Sequence, residues 1–234
     1  FGCDDEPTCA IYEAERARRP DGCARKIDVA ALAPMQAEWP SLQGPHNLQN
    51  AAIAVALAEA VGITEDQWRA ALTTFNGLSH RMERIADING VLFVNDSKAT
   101  NPASTAPALA AYPPNPERRV HWILGGLPKG DDLGECAAYF GNVERAYTIG
   151  DAGPLFASIL EPVMPVERSE MLCEAVRRAA ELAKPGDVVL FSPACASFDQ
   201  FRDYEARGEA FRQFVSAIVG DGLNADACAE LGHK

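Results

Sequence analysis

The chain has 234 residues, of which 47% are hydrophobic and 23% are charged, and its formal net charge is −12. This composition is typical of a globular protein with one large domain or two modest ones. The negative charge argues against nucleic acid or an anionic membrane surface as the main partner. The sequence shows no signal-peptide pattern, no membrane-spanning run and no metal-site cysteine spacing, so we expect a cytoplasmic protein with reduced cysteines. Its start at Phe1 rather than Met suggests a piece of a longer polypeptide.

The first third of the sequence predicts a small unit that is mainly helical in its second half. Residues 1–45 contain five prolines and several charges, which predicts short strands and turns. A helix is expected over residues 51–60, with Asn47 as its N-cap. Thr64–Gln67 has the capping-box pattern, which predicts a second helix to about Phe75.

From about residue 81 the sequence alternates between strand and helix patterns. Asn89–Gly90 is a strong hairpin turn between the first two strands. Further strands are predicted at 120–124, 145–149, 164–168 and 188–191, and helices near 102–111, 131–140, 152–160, 170–183 and 199–218. This alternation predicts an α/β fold with a mainly parallel sheet covered by helices. Residues 221–234 are expected to form a loose tail.

Polar residues follow four of the predicted strands, where ligands bind in open parallel sheets. These segments are Asn95–Asn101, Gly125–Gly130, Gly150–Asp151 and Ser192–Phe198. They would bring Lys98, Lys129, Asp96 and several hydroxyl groups to one rim. Two ammonium groups and hydroxyl donors suit a small anion, such as a carboxylate or a phosphate.

Several of these residues, considered one at a time, could also have a purely structural role. Gly125–Gly126 is also typical of a tight turn, Lys129 of a solvated lysine and Asp96 of a helix N-cap. We interpret Cys195 as a buried small side chain, because no GxSxG motif and no nearby histidine accompany it. The sequence contains no GxxxxGK[ST] phosphate loop, and it contains no GxGxxG that opens a helix, which weighs against a nicotinamide or flavin enzyme.

Two long motifs, in order, resemble hallmark sequences of the Mur ligases that add D-glutamate: Asn95–Asn101 with Ser104–Thr105, and Ser192–Phe201 with Tyr204–Glu205 and Arg207–Gly208. The chain also resembles elements shared across the whole family at two further places, His46–Asn47 with Asn50 and His80–Arg81 with Glu83. The resemblance runs from about Gly44 to Phe214. Sibling Mur ligases and folylpolyglutamate synthetases usually lack the SPACAS stretch.

The resemblance implies an intact enzyme of three domains. Residues 1–80 would be the helical end of a central ATPase domain. Residues 81–220 would form a dinucleotide-fold (Rossmann-like) domain with helices on both faces that binds the amino acid. The partners would be UDP-N-acetylmuramoyl-L-alanine, D-glutamate, ATP and the rest of the polypeptide. ATP would phosphorylate the muramoyl-alanine carboxylate, D-glutamate would attack the acyl phosphate, and Mg²⁺ would neutralise the phosphates.

The resemblance also implies roles for ten residues. Asn47, Asn50, Arg81 and Asp96 would contact ATP, Lys98 and Thr100 would be catalytic, and Lys129, Ser197, Phe198 and Tyr204 would bind D-glutamate. The family often has phenylalanine at the position of Tyr204, and the loop at residues 126–129 is less polar than expected. Two other functions stay open, namely a stand-alone module that binds an anionic metabolite, and a sibling ligase that adds another amino acid.

Overall fold

The structure is a computed structural model that describes residues 1–2, 6–20, 22 and 24–219. The chain forms two compact units, one over residues 1–76 and one from Gly77 onward. The boundary predicted from the sequence lay after residue 80, and the predicted tail at 221–234 lies outside the described residues. None of the described helices has the length and apolar character that crossing a membrane requires.

The regular secondary structure described in the first unit is all helical. It contains α1 (Glu6–Arg18), a 3-10 helix (Val29–Glu38), α2 (Pro45–Ala60) and α3 (Glu65–Thr74). The prediction of short strands over residues 1–45 is therefore wrong, whereas residues 20, 40 and 41 do lie in turns. Pro7 lies in the first turn of α1, where a proline is tolerated because its missing N–H has no helical partner. Pro34 lies within the 3-10 helix.

The helix starts of this unit give one correction and one confirmation. Asn47 is not an N-cap, because α2 begins at Pro45 after Gly44, which has a φ of 89°. Proline at the first helical position has its φ already set for the helix. The capping box is confirmed, since the Thr64 backbone N–H donates to Gln67 Oε1 at 2.9 Å. The small core of this unit consists of Trp39, Leu42, Ala51, Val55 and Trp68.

The second unit is built on a six-stranded sheet. Its strands are β1 (Glu83–Ile88), β2 (Val91–Asn95), β3 (Val120–Gly125), β4 (Val143–Ile149), β5 (Val166–Glu170) and β6 (Val188–Phe191). Their order across the sheet is β1-β2-β6-β3-β4-β5. Only the β1–β2 pair is antiparallel, so the predicted mainly parallel sheet is confirmed.

Helices cover both faces of this sheet, as predicted. The helical segments are α4 (Pro102–Ala110), a 3-10 helix (Gly134–Asn142), α5 (Gly153–Leu160), α6 (Leu172–Leu182) and α7 (Tyr204–Val219). One core contains Trp122 and Leu124 with side chains of α4 and α5, and the other contains Ile123 with side chains of α6 and α7. All six residues of β3 are buried, which is typical of a parallel strand covered on both faces.

Three cysteine positions bear on the redox prediction. Cys136 and Cys195 are free thiols. Cys173 on α6 is disulfide-bonded, so the prediction of reduced cysteines is wrong at that position.

The position of β6 decides which loops lie side by side. This strand is inserted between β2 and β3 and is parallel to both. Because parallel strands end at the same edge of a sheet, the segments that follow β2, β6 and β3 leave as neighbours. These are the segments that contain Lys98, Ser197 and Lys129.

Candidate functional site

Lys98 lies in the loop that follows β2, and its ammonium group carries no ion pair with a described carboxylate. The nitrogen instead lies 3.7 Å from the centroid of the Tyr204 ring, which is a cation–π contact. The Lys98 backbone N–H donates to the His80 carbonyl at 3.0 Å. The backbone of this lysine is therefore fixed, while its charge stays available to an anion.

Lys129 and Thr100 connect the loops after β3 and β2. Lys129 Nζ donates to Thr100 Oγ1 at 3.3 Å. No ion pair joins Lys129 to a carboxylate in the described ranges. A cavity of about 220 Å³ lies beside this contact, and its lining consists of Asn101, Pro102, Lys129, Gly130, Asp132, Phe156 and Ala194. That volume is below the 300–1,000 Å³ range of pockets for drug-sized ligands, so it suits a small metabolite.

Ser197 and Phe198 differ sharply in exposure. Ser197 is 2% exposed, and its hydroxyl has no hydrogen-bond partner within the described part of the chain. Phe198 is 68% exposed. Tyr204 is half-buried at the start of α7, beneath Lys98. The structure thus brings Lys98 and Tyr204 into contact, and Lys129 into contact with Thr100.

The loop after β6 is tied to the ends of two other strands. Ala196 and Leu127 form an antiparallel bridge, which joins this loop to the one after β3. The Asp151 backbone N–H, after β4, donates to Asp199 Oδ2 at 3.2 Å. These backbone contacts explain in part why the Ser192–Phe201 motif is long.

Gly125 and Gly126 have a structural role. Their φ angles are 127° and 130°, and a Cβ on either would overlap a backbone carbonyl oxygen, of Ile149 and Ala196 respectively. The N–H of Gly125 donates to the Pro193 carbonyl at 2.9 Å, and that of Gly126 donates to the Ile149 carbonyl at 3.2 Å. Neither N–H is left for a ligand, so these glycines allow a close approach of backbones.

Arg207 was not singled out as a site residue from the sequence. It is 1% exposed. Its guanidinium donates to Ser97 Oγ (3.1 Å) and to the carbonyls of Ser97 (2.9 Å), Cys195 (3.0 Å) and Ala196 (3.0 Å). Burial lowers the pKa of Arg207 to about 10. The sequence motif contained Arg207–Gly208, but an arginine in a helix is usually a solvated cation.

A second polar network was also missed. Asn95 Nδ2 lies 3.1 Å from both His80 Nδ1 and the Gly208 carbonyl, and 3.3 Å from Glu83 Oε2. The ring of His80 meets the Tyr204 ring edge-on, with 6.1 Å between centroids. A Cβ at Gly208 would overlap the His80 ring. This network places the His80 ring against the Tyr204 ring.

Asp96 is buried and hydrogen-bonded inside the unit. It is 6% exposed, and it accepts the Met82 backbone N–H at 3.2 Å and the Ser192 hydroxyl at 2.7 Å. Burial raises the pKa of Asp96 to about 7, against these two hydrogen bonds and the charge of Arg81. Arg81 is exposed. Asp96 is not a helix N-cap, because Asn101 caps α4.

Two of the predicted nucleotide contacts lie in the first unit. Asn47 is half-buried and donates from Nδ2 to the Gln43 carbonyl at 3.0 Å, while Asn50 is exposed. As for a metal, no group of three or more His, Cys, Asp or Glu side chains among the described residues could hold an ion.

Comparison with known proteins identifies relatives over most of the chain. The family described as "Mur ligase, glutamate ligase domain" matches residues 80–195. A UDP-N-acetylmuramoylalanine–D-glutamate ligase of Novosphingobium aromaticivorans is 66% identical over 94% of this chain and 48% of its own length. Its counterpart in Sphingopyxis alaskensis is 50% identical over 92% of this chain and 49% of its own length. The chain thus spans about half the length of these relatives.

Solved structures support the fold alone. A UDP-N-acetylmuramate–alanine ligase of Thermotoga maritima matches with a TM-score of 0.53 and 18% identity, over 74% of this chain and 38% of that protein. A folylpolyglutamate synthase of Mycobacterium tuberculosis, complexed with ADP, matches with a TM-score of 0.52 and 21% identity, over 74% of this chain and 41% of that protein.

Proposed function

Because this chain belongs to the Mur ligase family, we propose that its second unit binds D-glutamate for an ATP-dependent ligase of peptidoglycan synthesis. One observation carries the proposal. Lys98 and Lys129 lie in loops at the carboxyl edge of the sheet, and neither forms an ion pair with a described residue. The hydroxyl of Thr100 belongs to the loop of Lys98, and that of Ser197 belongs to the neighbouring loop after β6. A dicarboxylate needs cations and donors of this kind.

The proposed reaction is performed by the whole ligase in two steps. A carboxylate oxygen of UDP-N-acetylmuramoyl-L-alanine attacks the γ-phosphorus of ATP, and ADP leaves. The amine of D-glutamate then attacks the acyl phosphate, a tetrahedral intermediate forms, the amine loses a proton, and inorganic phosphate leaves. Lys98 and Thr100 orient the glutamate and stabilise the negative charge on the acyl phosphate. Mg²⁺ neutralises phosphate charge when it is bound with ATP.

The proposed D-glutamate pocket contains Lys129, Ser197, Phe198 and Tyr204. Lys129 and the Ser197 hydroxyl bind the carboxylates. Tyr204 holds the Lys98 ammonium group against its ring and limits the directions that this group can take. Phe198 is exposed, and we propose that its ring packs against the amino acid.

The nucleotide part of the proposal rests on Asn47, Asn50, Arg81 and Asp96. In the first unit, Asn47 and Asn50 offer donors to ATP. In the second unit, Arg81 offers donors to ATP and Asp96 offers a carboxylate to the ribose hydroxyls. The chain lacks a GxxxxGK[ST] sequence, so we expect no ATP hydrolysis by these 234 residues alone. We propose a bacterial cytoplasmic location, since the nucleotide substrates are made there.

The proposal is tested by titrating the chain with D-glutamate under NMR observation. Wild-type protein should bind D-glutamate and prefer it to L-glutamate. Lys98→Ala and Lys129→Ala should each weaken binding by about tenfold, because each removes a charge-assisted contact. Lys184→Ala removes an exposed lysine that follows α6, outside the carboxyl-edge loops, and serves as the matched control.

Three outcomes would decide against the proposal. If both lysine variants bind D-glutamate as tightly as the wild type, the site is elsewhere. If phosphate or succinate binds as tightly as D-glutamate, a general anion-binding module is favoured instead. A stronger response to another amino acid would favour a sibling ligase.

A further inference from the structure

We propose that Arg207 is a positioning residue for the amino-acid site, because its guanidinium fixes the loop that carries Lys98 against the loop that carries Ser197. The inference rests on the proposed function for the identity of the ligand. Its geometric part, the position of Lys98, can be measured without any ligand.

The hydrogen bonds of Arg207 reach both loops at the residues next to the proposed contacts. Nε and NH2 donate to Ser97, which directly precedes Lys98. NH1 donates to the carbonyl of Ala196, which directly precedes Ser197, and NH2 also reaches the Cys195 carbonyl. Sliding one loop past the other would break at least two of these four bonds.

A further hydrogen bond connects Ser97 to Tyr204, whose ring lies beneath Lys98. The Ser97 hydroxyl accepts from Arg207 Nε and donates to the Tyr204 carbonyl at 2.8 Å. The start of α7 is therefore fixed to the same serine as the guanidinium. Since Lys98 Nζ lies 3.7 Å from the Tyr204 ring centroid, any shift of Ser97 or Tyr204 moves the ammonium group relative to Ser197.

The choice of arginine at this position has a physical reason. No carboxylate among the described residues forms an ion pair with Arg207, and a buried unpaired cation is costly to fold. The planar guanidinium of arginine carries its donors on three nitrogens in a fixed geometry, so it can donate to two loops at once. A lysine would have to reach all of the acceptors from a single nitrogen atom. Gly126 leaves the space, because a Cβ there would lie 3.0 Å from Arg207 NH1. The charge of Arg207 also adds positive potential to a site for anions.

The test compares Arg207→Lys and Arg207→Met with the control Arg202→Met, whose arginine side chain is 84% exposed. Arg207→Lys keeps the charge and loses the planar guanidinium, and Arg207→Met loses both. Thermal unfolding shows whether each variant is folded. The upfield NMR shift that the Tyr204 ring imposes on the Lys98 ε-protons reports the position of Lys98, and titration reports D-glutamate affinity.

We expect the folded Arg207 variants to lose the upfield shift of Lys98 and to bind D-glutamate about tenfold to a hundredfold more weakly, a loss typical of misplaced groups. Arg202→Met should match the wild type. A lower melting temperature with unchanged shift and unchanged affinity would overturn the inference.

Two further results separate a failure to fold, or a failure of the proposed function, from a failure of the role that we assign to Arg207. If both Arg207 variants fail to fold, Ser97→Ala decides, because it removes a hydroxyl acceptor with a small change of volume. It should reduce the Lys98 shift, and an unchanged shift would overturn the inference. If the wild type does not bind D-glutamate, the proposed function fails, while the Lys98 shift still tests the position that we assign to Arg207.

Discussion

Asp96→Asn should change how the stability of the second unit depends on pH. The wild-type carboxyl group is 6% exposed and accepts hydrogen bonds from the Met82 N–H and the Ser192 hydroxyl. An asparagine can keep the bond from Met82 through its oxygen. Its amide can donate to Ser192, whose hydroxyl has a second neighbour in Thr105 Oγ1 at 3.0 Å. The substitution therefore removes the ionisation and keeps the packing.

The expected magnitude follows from the shifted pKa. Burial raises the pKa of Asp96 from 3.8 to about 7, so the folded unit binds this proton more tightly than the unfolded chain does. The corresponding stability is fully present below about pH 4 and is lost as the pH rises through about 7. Over this interval the loss amounts to about 4 kcal/mol, at about 1.4 kcal/mol per pKa unit. The Asp96→Asn variant does not lose this stability as the pH rises, because an asparagine does not ionise.

The assay is urea unfolding of wild type and variant between pH 5 and pH 8, followed by the NMR signal of the Trp122 indole N–H. This group donates to the Ser192 carbonyl at 2.8 Å and reports the second unit alone. The variant should gain stability relative to the wild type as the pH rises. Asp151→Asn, at an exposed carboxylate, is the control. A difference between wild type and Asp96→Asn that stays constant across this range would refute the reasoning.

Two more substitutions test the site and its support. In the whole ligase, Lys98→Ala should lower kcat by about a hundredfold or more while circular dichroism stays unchanged, because it removes charge stabilisation at the acyl phosphate; an unchanged kcat would exclude Lys98 from catalysis. Gly208→Ala should destabilise the second unit by about 1–3 kcal/mol in urea unfolding, because its Cβ would overlap the His80 ring. Gly141→Ala, where a Cβ meets no atom within 4 Å, is the matched control, and equal stability of the two variants would contradict this account.

The sheet could be predicted because its signals are local. The apolar run at residues 120–124 is the fully buried β3, and Asn89–Gly90 forms the turn between β1 and β2. The helices of the first unit were harder to predict from the sequence. Residues of α1 show no buried face, so no hydrophobic periodicity marked this helix. The cap of α2 was misassigned because Pro45 and Gly44 fix its start without a side-chain cap.

The candidate site was predictable as a set of loops and not as a set of contacts. The rule for parallel sheets placed Lys98, Lys129 and Ser197 at one edge without any knowledge of distances. The contact between Lys98 and Tyr204 depends on where α7 begins, which the sequence pattern did not locate. Arg207 was missed because its acceptors are mostly backbone carbonyls, and carbonyls are present at every position of a sequence.

The insertion of β6 between β2 and β3 has a consequence for the order of assembly during synthesis. β2 and β3 leave the ribosome well before β6, and they share no hydrogen bonds in the finished sheet. The two halves of the sheet can join only after Val188–Phe191 has been made. A nascent chain that stops earlier can form local helices and the β1–β2 hairpin, but it cannot bring the loop of Lys98 beside that of Lys129.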